Sequence, residues 1–401
     1  MSIELAPDAD VARLAERTAA FVREVVVPAE VEHGGDCARA GDAVRERLQR
    51  AATEAGVFAP HVAREYGGHG LDMRDRAVVF EEAGYSLFGP PALNIAAPDE
   101  GNMHMLEHIA TPEQKERYLR PLATGDVRSC FAMTEPAPGA GSDPAALTTR
   151  AERVPGGWRI DGHKWFITGA DGAAYAICMA RTSGQVGDRG GATMFLVDAD
   201  NPGMKLVRHI ETLDESLFGG HCEMVFDGCV VPDEAVLGEV DKGFEYAQVR
   251  LGPARMTHCM RWLGIARRAQ DIAVARAAER RLFGARLADQ GMAQQMLADN
   301  EIDIAASRGL IRQACWELDQ GRSGAQSTAI AKTFTAEAVW RTVDRSLQLC
   351  GALGVSGDVL LSRFLREVRP FRIYDGPSET HRWAIAKRVV RRHLSASGEG
   401  A

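Results

Sequence analysis

The spacing of apolar residues changes twice along this chain. In the first stretch Val11, Leu14, Ala15, Phe21, Val22 and Val25 recur at the three- and four-residue spacing of helices that bury one side. Thr111, Pro112 and Gln114 supply an N-cap, a first-turn proline and a capping-box partner, which predicts a helix over 112–122. From about 129 the rhythm shortens to runs such as Trp158–Asp161, Trp165–Thr168, Thr193–Val197 and Met224–Phe226, separated by turn formers at Pro155–Gly156–Gly157 and Asp161–Gly162. These predict a sandwich or barrel of short strands. After about 240 helical periodicity returns, and Leu297, Ile304, Ile311 and Leu318 make a seven-residue seam flanked by Ala305, Ala306 and Ala314, as in an antiparallel four-helix bundle. Ser395–Ala401 reads as a frayed tail. The expected organisation is α+β and multidomain: a helical domain over 1–128, a β domain over 129–239 and a helical bundle over 240–401. A β domain between two helical ones leaves a cleft where they meet, and ligand sites favour such clefts.

Composition narrows the picture only slightly. The 401 residues are 45% hydrophobic and 25% charged, which is ordinary for a globular protein. A net charge of −8 argues against a nucleic-acid binder and means that an anionic ligand needs a local basic cluster. The eight cysteines include no C-x-x-C pair and no closely spaced Cys/His quartet, so neither a disulfide framework nor a metal site is expected. The acidic start lacks the features of a signal or transit peptide, and no run of about 18 apolar residues spans a membrane. A cytoplasmic protein is the plain expectation.

Candidate chemistry lies in five places. The loop Phe131–Asp143 has prolines that stiffen it, glycines that admit close approach and hydroxyls at Thr134 and Ser142; alone, it equally suits a surface turn. Trp165 and Phe166 offer aromatic cover for a flat ring with Thr168 as a polar contact, or simply a core pair. Arg280, in E-R-R-L-F-G-A-R, can grip a pyrophosphate or merely face water. Gly351 and Gly354, in Q-L-C-G-A-L-G, end a helix and can expose amides to a phosphate. Asp375, before Gly376–Pro377, is a base or an N-cap for the next helix; read alone, the cap is the simpler role.

Taken in order, T-E-P…G-A-G-S-D, K-W-F-I-T-G-A, R-x-x-F-G, Q-x-x-G-x-x-G and R-I-Y-D-G resemble the acyl-CoA dehydrogenase family over nearly the whole chain. The segments N-I-A-A-P-D-E-G-N-M at 94–103, 250–261 and D-G-P-S-E-T-H are similar to the subgroup with an aspartate base, which includes the dehydrogenase parts of mammalian family members ten and eleven. The resemblance implies a homodimeric or homotetrameric FAD enzyme of fatty-acid β-oxidation, with an acyl-CoA substrate and an electron-transfer flavoprotein as acceptor. It implies flavin contacts from Phe131, Met133, Thr134, Ser142, Trp165, Ile167 and Thr168. Arg280, Phe283, Gln348 and Gly351 would meet the FAD of a neighbouring subunit, with Ser378 and Glu379 near its dinucleotide part. Ser142, Arg255, Gly376 and Lys387 would contact the substrate. Asp375 would be the general base, its pKa raised by desolvation when the acyl chain excludes water, giving a trans-2-enoyl-CoA as hydride leaves for the flavin. Other family members place a glutamate where Ala254 stands here. The same resemblance also admits an oxidase, of the acyl-CoA or nitroalkane type, reoxidised by oxygen.

Overall fold

The computed structural model describes residues 6–397 and begins with helix Ala9–Phe21, which buries Val11, Leu14, Ala15, Thr18 and Phe21. The apolar phase then slips by one residue. A π-turn at Val22–Val26 carries the chain one residue further per turn, so Val26 is buried while Val25, expected in the core, is exposed. At the other end of this helical region the Thr111–Gln114 capping box forms, and helical structure runs from Pro112 to Ala123. Helix Met73–Ala83 packs on the long C-terminal helices, and helix Asp99–Ile109 faces the sheet.

The strands are β1 (Ser129–Ala132), β2 (Arg150–Val154), β3 (Gly157–Thr168), β4 (Tyr175–Arg181), β5 (Ala192–Asp198), β6 (Met204–His209), β7 (His221–Pro232) and β8 (Val236–Leu237). They form one sheet in the order β6-β7-β3-β2-β4-β5-β8, with β1 added parallel to β4. Strand β4 is buried throughout because both faces are covered. Tyr175, Ile177 and Met179 face the N-terminal helices, whereas Ala176, Cys178 and Ala180 face the sheet's own core. Asp161–Gly162 is not a turn, as its sequence suggested. The register shifts there within a continuous β3, and glycine is required because a Cβ would lie 2.3 Å from Thr149 Oγ1. A second register shift, between Lys164 and Ile167, puts Phe166 in the left-handed region at φ 51° and turns its side chain outward.

Helices Gly243–Glu279, Gly291–Asp319 and Ala325–Cys350 pack on one another, with helix Ser378–Ser397 against the third. Ile304, Ile311 and Ala314 are buried in the predicted seam, Leu297 and Leu318 half-buried, and Ala305 exposed at its edge. Ser395–Ser397, expected to fray, continue the last helix, and 398–401 lie outside the described residues. A short hairpin, β9 (Arg281–Leu282) and β10 (Ala285–Arg286), joins the first two bundle helices. Among the described residues no helix is long and apolar enough to cross a membrane.

Candidate active site

Asp375 sits where the chain reverses, between the turn Pro370–Arg372 and helix Ser378–Ser397. Two consecutive residues are left-handed there, Asp375 at φ 54° and Gly376 at φ 96°. Glycine accepts that conformation freely; aspartate tolerates it better than most residues but still needs support. The support comes from three helices. Arg255 Nε donates to the Asp375 carbonyl at 3.0 Å, His381 Nε2 donates to the same oxygen at 3.1 Å, and Lys332 Nζ donates to the Gly376 carbonyl at 2.8 Å. The main chain is thereby clamped and the carboxylate turned inward. Its Oδ2 lies 3.3 Å from His258 Nε2, is buried and makes no hydrogen bond. Its direction, toward helix Gly243–Glu279, does not fit an N-cap.

His258 is itself held in one tautomer. Arg261 donates to its Nδ1 at 3.0 Å, so the ring proton belongs on Nε2, facing Asp375. Tyr374 packs at 4.9 Å and Phe371 at 6.0 Å between ring centres. Burial, aided by Arg261, pushes the imidazole pKa down to about 3, so the ring is neutral at ordinary pH. Asp375 shows the opposite balance. Burial pushes its pKa up, but nearby His258, Arg250, Arg255 and Lys332 together outweigh that electrostatically, and the carboxyl titrates below its usual value. In the free site the carboxyl lies low because the same fold that buries it surrounds it with cations; the expected rise belongs to the site with an acyl chain bound. Lys332, lowered to about 8 by burial, stays largely protonated at neutral pH.

Arg250 links this cluster to the β domain. It is buried, donates through Nε to Asn102 Oδ1 at 2.9 Å, and lies over the Phe131 ring at 4.3 Å. Asn102 in turn donates to Ser129 Oγ, which donates to Asp99. Glu100, on the same helix, is a further buried carboxylate, with Oε2 accepting from Thr257 and Oε1 unbonded.

The glycine-rich loop is stapled from below. Glu135 accepts from Lys164 Nζ at 2.9 Å, from the Thr148 N–H and hydroxyl, and from the Thr149 and Ala140 N–H groups. Lys164 also donates to the Met133 carbonyl, and the Trp165 N–H donates to the Thr134 carbonyl. Phe131, Met133, Thr134 and Trp165 are thus brought to one half-exposed ledge, with Phe166 edge-on to Trp165. The Thr168 hydroxyl pairs with His221, which pairs with Asp214. The side chain of Ile167 lies in the sheet core.

The remaining residues divide by position. Arg255 and Gly376 join Asp375, and Ser378 is buried beside them with an unbonded hydroxyl. Arg255, expected to contact the CoA part, donates through Nε to the main chain of Asp375. Ser142, Glu379 and Lys387 are exposed, and Lys387 lies over the Trp383 ring at 3.8 Å. Arg280, Phe283, Gln348 and Gly351 gather at the far end of the bundle, where Asn300 joins Gln270 to Ser346. All four are exposed, Phe283 by 95%. Arg280 lies 25 residues beyond Arg255, about 37 Å along the axis at 1.5 Å per residue.

His258, Arg250, Lys332 and the Glu135–Lys164 pair were not singled out from the sequence. A signal existed for some: Arg255, His258 and Arg261 recur every third residue, on one face of a helix, and Lys332 interrupts an alanine-rich run.

Models of the acyl-CoA dehydrogenase N-terminal, middle and C-terminal domains match residues 8–126, 130–229 and 241–390. The chain is 36% identical over 390 residues to probable acyl-CoA dehydrogenase FadE2 of Mycobacterium tuberculosis, covering 94% of this chain and 95% of that protein. It is 35% identical over 386 residues to acyl-CoA dehydrogenase family member 11 of Gallus gallus, covering 92% of this chain but 49% of that longer protein. The structure of butyryl-CoA dehydrogenase from Megasphaera elsdenii superposes with a TM-score of 0.86 at 26% identity, covering 98% of this chain and 100% of that one.

Proposed function

Because this chain belongs to the acyl-CoA dehydrogenase family, we propose that it oxidises an acyl-CoA thioester to its trans-2-enoyl form, with Asp375 as the base and FAD as cofactor. The observation that carries this reading is the Asp375 carboxylate: inward-facing, ionised, held at its main chain from three helices, with Oδ2 free of hydrogen bonds. The ledge suits a flavin. Its uncovered aromatic faces at Trp165 and Phe166 match a flat ring, and the glycine loop above the Glu135 staple allows close approach. When bound, FAD supplies the acceptor for the hydride lost from the substrate β-carbon.

The chain's own residues supply the acid–base chemistry. The α-proton of a thioester is too weakly acidic for an exposed carboxylate to remove quickly, so the developing negative charge needs stabilisation. Arg250, Arg255 and Lys332 leave a net positive field around a single aspartate, which favours that charge. The neutral His258 ring faces the carboxylate, with Nε2 3.3 Å from Oδ2. Aspartate is one methylene shorter than the family's usual glutamate; the clamped left-handed turn sets how far it reaches, and Ala254 offers no second base. Exposed Ser142 and Lys387 would meet the CoA moiety. Exposed Arg280, Phe283, Gln348 and Gly351 would serve the FAD of another subunit in a homodimer or homotetramer.

Purified protein should be yellow and should bleach anaerobically with the right member of a panel of acyl-CoA esters. An electron-transfer flavoprotein should restore the colour. A protein unable to take up FAD would exclude the assignment, and rapid peroxide formation without another acceptor would identify an oxidase.

The pH profile gives a separate check. Asp375 in the free site titrates below the ordinary aspartate value, so kcat/KM should stay flat from about pH 5 to 8. A bound acyl chain excludes water and pushes the same carboxyl upward, so the acid limb of kcat should lie at higher pH than that of kcat/KM. An acid limb near pH 6 in kcat/KM would point to another base.

A further inference from the structure

We propose that His104, Glu107 and His108, with His61 behind them, form a binding site for a divalent transition cation of the zinc class. The first three lie on helix Asp99–Ile109, and one ligand atom from each falls within 4.8 Å of the others. Zinc holds nitrogen and oxygen ligands at about 2.0–2.2 Å, so a small closure of side chains brings all three onto one ion. The spacing is suitable because residues four apart on a helix share a face; the two imidazole centres are 4.2 Å apart.

Three observations point beyond spacing. His108 Nδ1 donates to the His104 carbonyl at 2.7 Å, which leaves the lone pair on Nε2. Metal-bound histidines are commonly oriented in this way, by giving the other ring proton to a carbonyl. His104 is half-buried and lines a crevice together with Glu107. His61 is only 4% exposed, neither of its ring nitrogens has a hydrogen bond, and it lines the same crevice as His104 and Glu107. A buried imidazole with both nitrogens unpaired is costly, and a cation in that crevice would satisfy one of them.

Arg76 also lines the crevice, but its guanidinium is turned to the carbonyls of Leu71 and His61. Imidazole ligands favour zinc, nickel or copper over magnesium or calcium. His61 lies far upstream of the other three in sequence, so the cluster has no closely spaced quartet. The first turn of the same helix carries Asp99 and Asn102, which hold β1 and Arg250, so an ion would pin the helix that braces the site entrance.

The test is titration of the tag-free, chelator-treated full chain with Co(II), followed by displacement with Zn(II). The expected result is one Co(II) per chain with intense tetrahedral visible bands, lost on adding zinc, and a zinc-dependent rise in melting temperature. The exposed ligand His108 can be removed without disturbing the core. His108→Ala should weaken Zn(II) binding at least about tenfold, the low end for losing even an outer-shell contact, and abolish the thermal shift. Its FAD content and turnover should match those of the parent chain. Weak, six-coordinate Co(II) spectra, or equal zinc affinity in His108→Ala, would overturn the proposal. Neither result bears on the role of Asp375.

Discussion

Replacing Asp375 by asparagine is expected to leave the protein folded and yellow while slowing flavin reduction by an acyl-CoA at least about a hundredfold, the low end for loss of a general base. The substitution is close to isosteric, and asparagine is among the residues most at ease in the left-handed conformation found here at φ 54°. The clamps from Arg255, Lys332 and His381 act on main-chain carbonyls, so they survive the change. The amide oxygen can still face the His258 N–H. The proton acceptor is lost, together with the negative charge that faces Arg250, Arg255 and Lys332. Anaerobic stopped-flow absorbance measures this directly. Reduction at the parent rate would mean that another carboxylate does the work, with buried Glu100 the first to examine.

The second large effect concerns stability. Glu135→Ala should destabilise the β domain by about 3–5 kcal/mol, the cost of breaking a buried ion pair by removing one partner. Both side chains of the Glu135–Lys164 pair are fully buried. Removing Glu135 strips Lys164 of its countercharge and also orphans the N–H groups of Ala140, Thr148 and Thr149. Lys164→Met should cost less, because Glu135 keeps its bonds to the threonines. Urea unfolding with a β-domain probe, together with retained FAD, separates the two variants. Their order carries the argument: an equal or smaller loss in Glu135→Ala would show that the loop does not depend on this staple.

The same pair has a pH signature. Burial pushes the Glu135 carboxyl up, but Lys164 and the threonine donors outweigh it and hold the pKa at about 2, below the ordinary value of 4.5. The unfolded chain therefore binds a proton more readily than the folded one. The stabilisation is present above about pH 4.5 and is lost as pH falls through about 2, so parent and Glu135→Ala should converge in stability across that interval.

The architecture was largely legible because its signals are local. Thr111 and Gln114 cap a helix by themselves, and the Ile304–Ile311 seam needs only a period and a partner. Local signals failed where the backbone departs from its average geometry. Val25 lost its place in the core to a π-turn that no propensity marks, and Gly162 read as a turn because a glycine demanded by Thr149 looks the same in sequence as one demanded by a hairpin.

By itself, the sequence determined the helical, β, helical order and a turn at Asp375–Gly376, because periodicity, capping and backbone freedom are properties of neighbouring residues. Only the tertiary structure decided what surrounds that carboxylate. Arg250, Arg255 and His258 come from one helix, Lys332 from another, and their meeting depends on how the helices pack. Whether Asp375 is charged is a balance between lost water and gathered cations. Both terms act through space, so the sign of its shift could not be read along the chain.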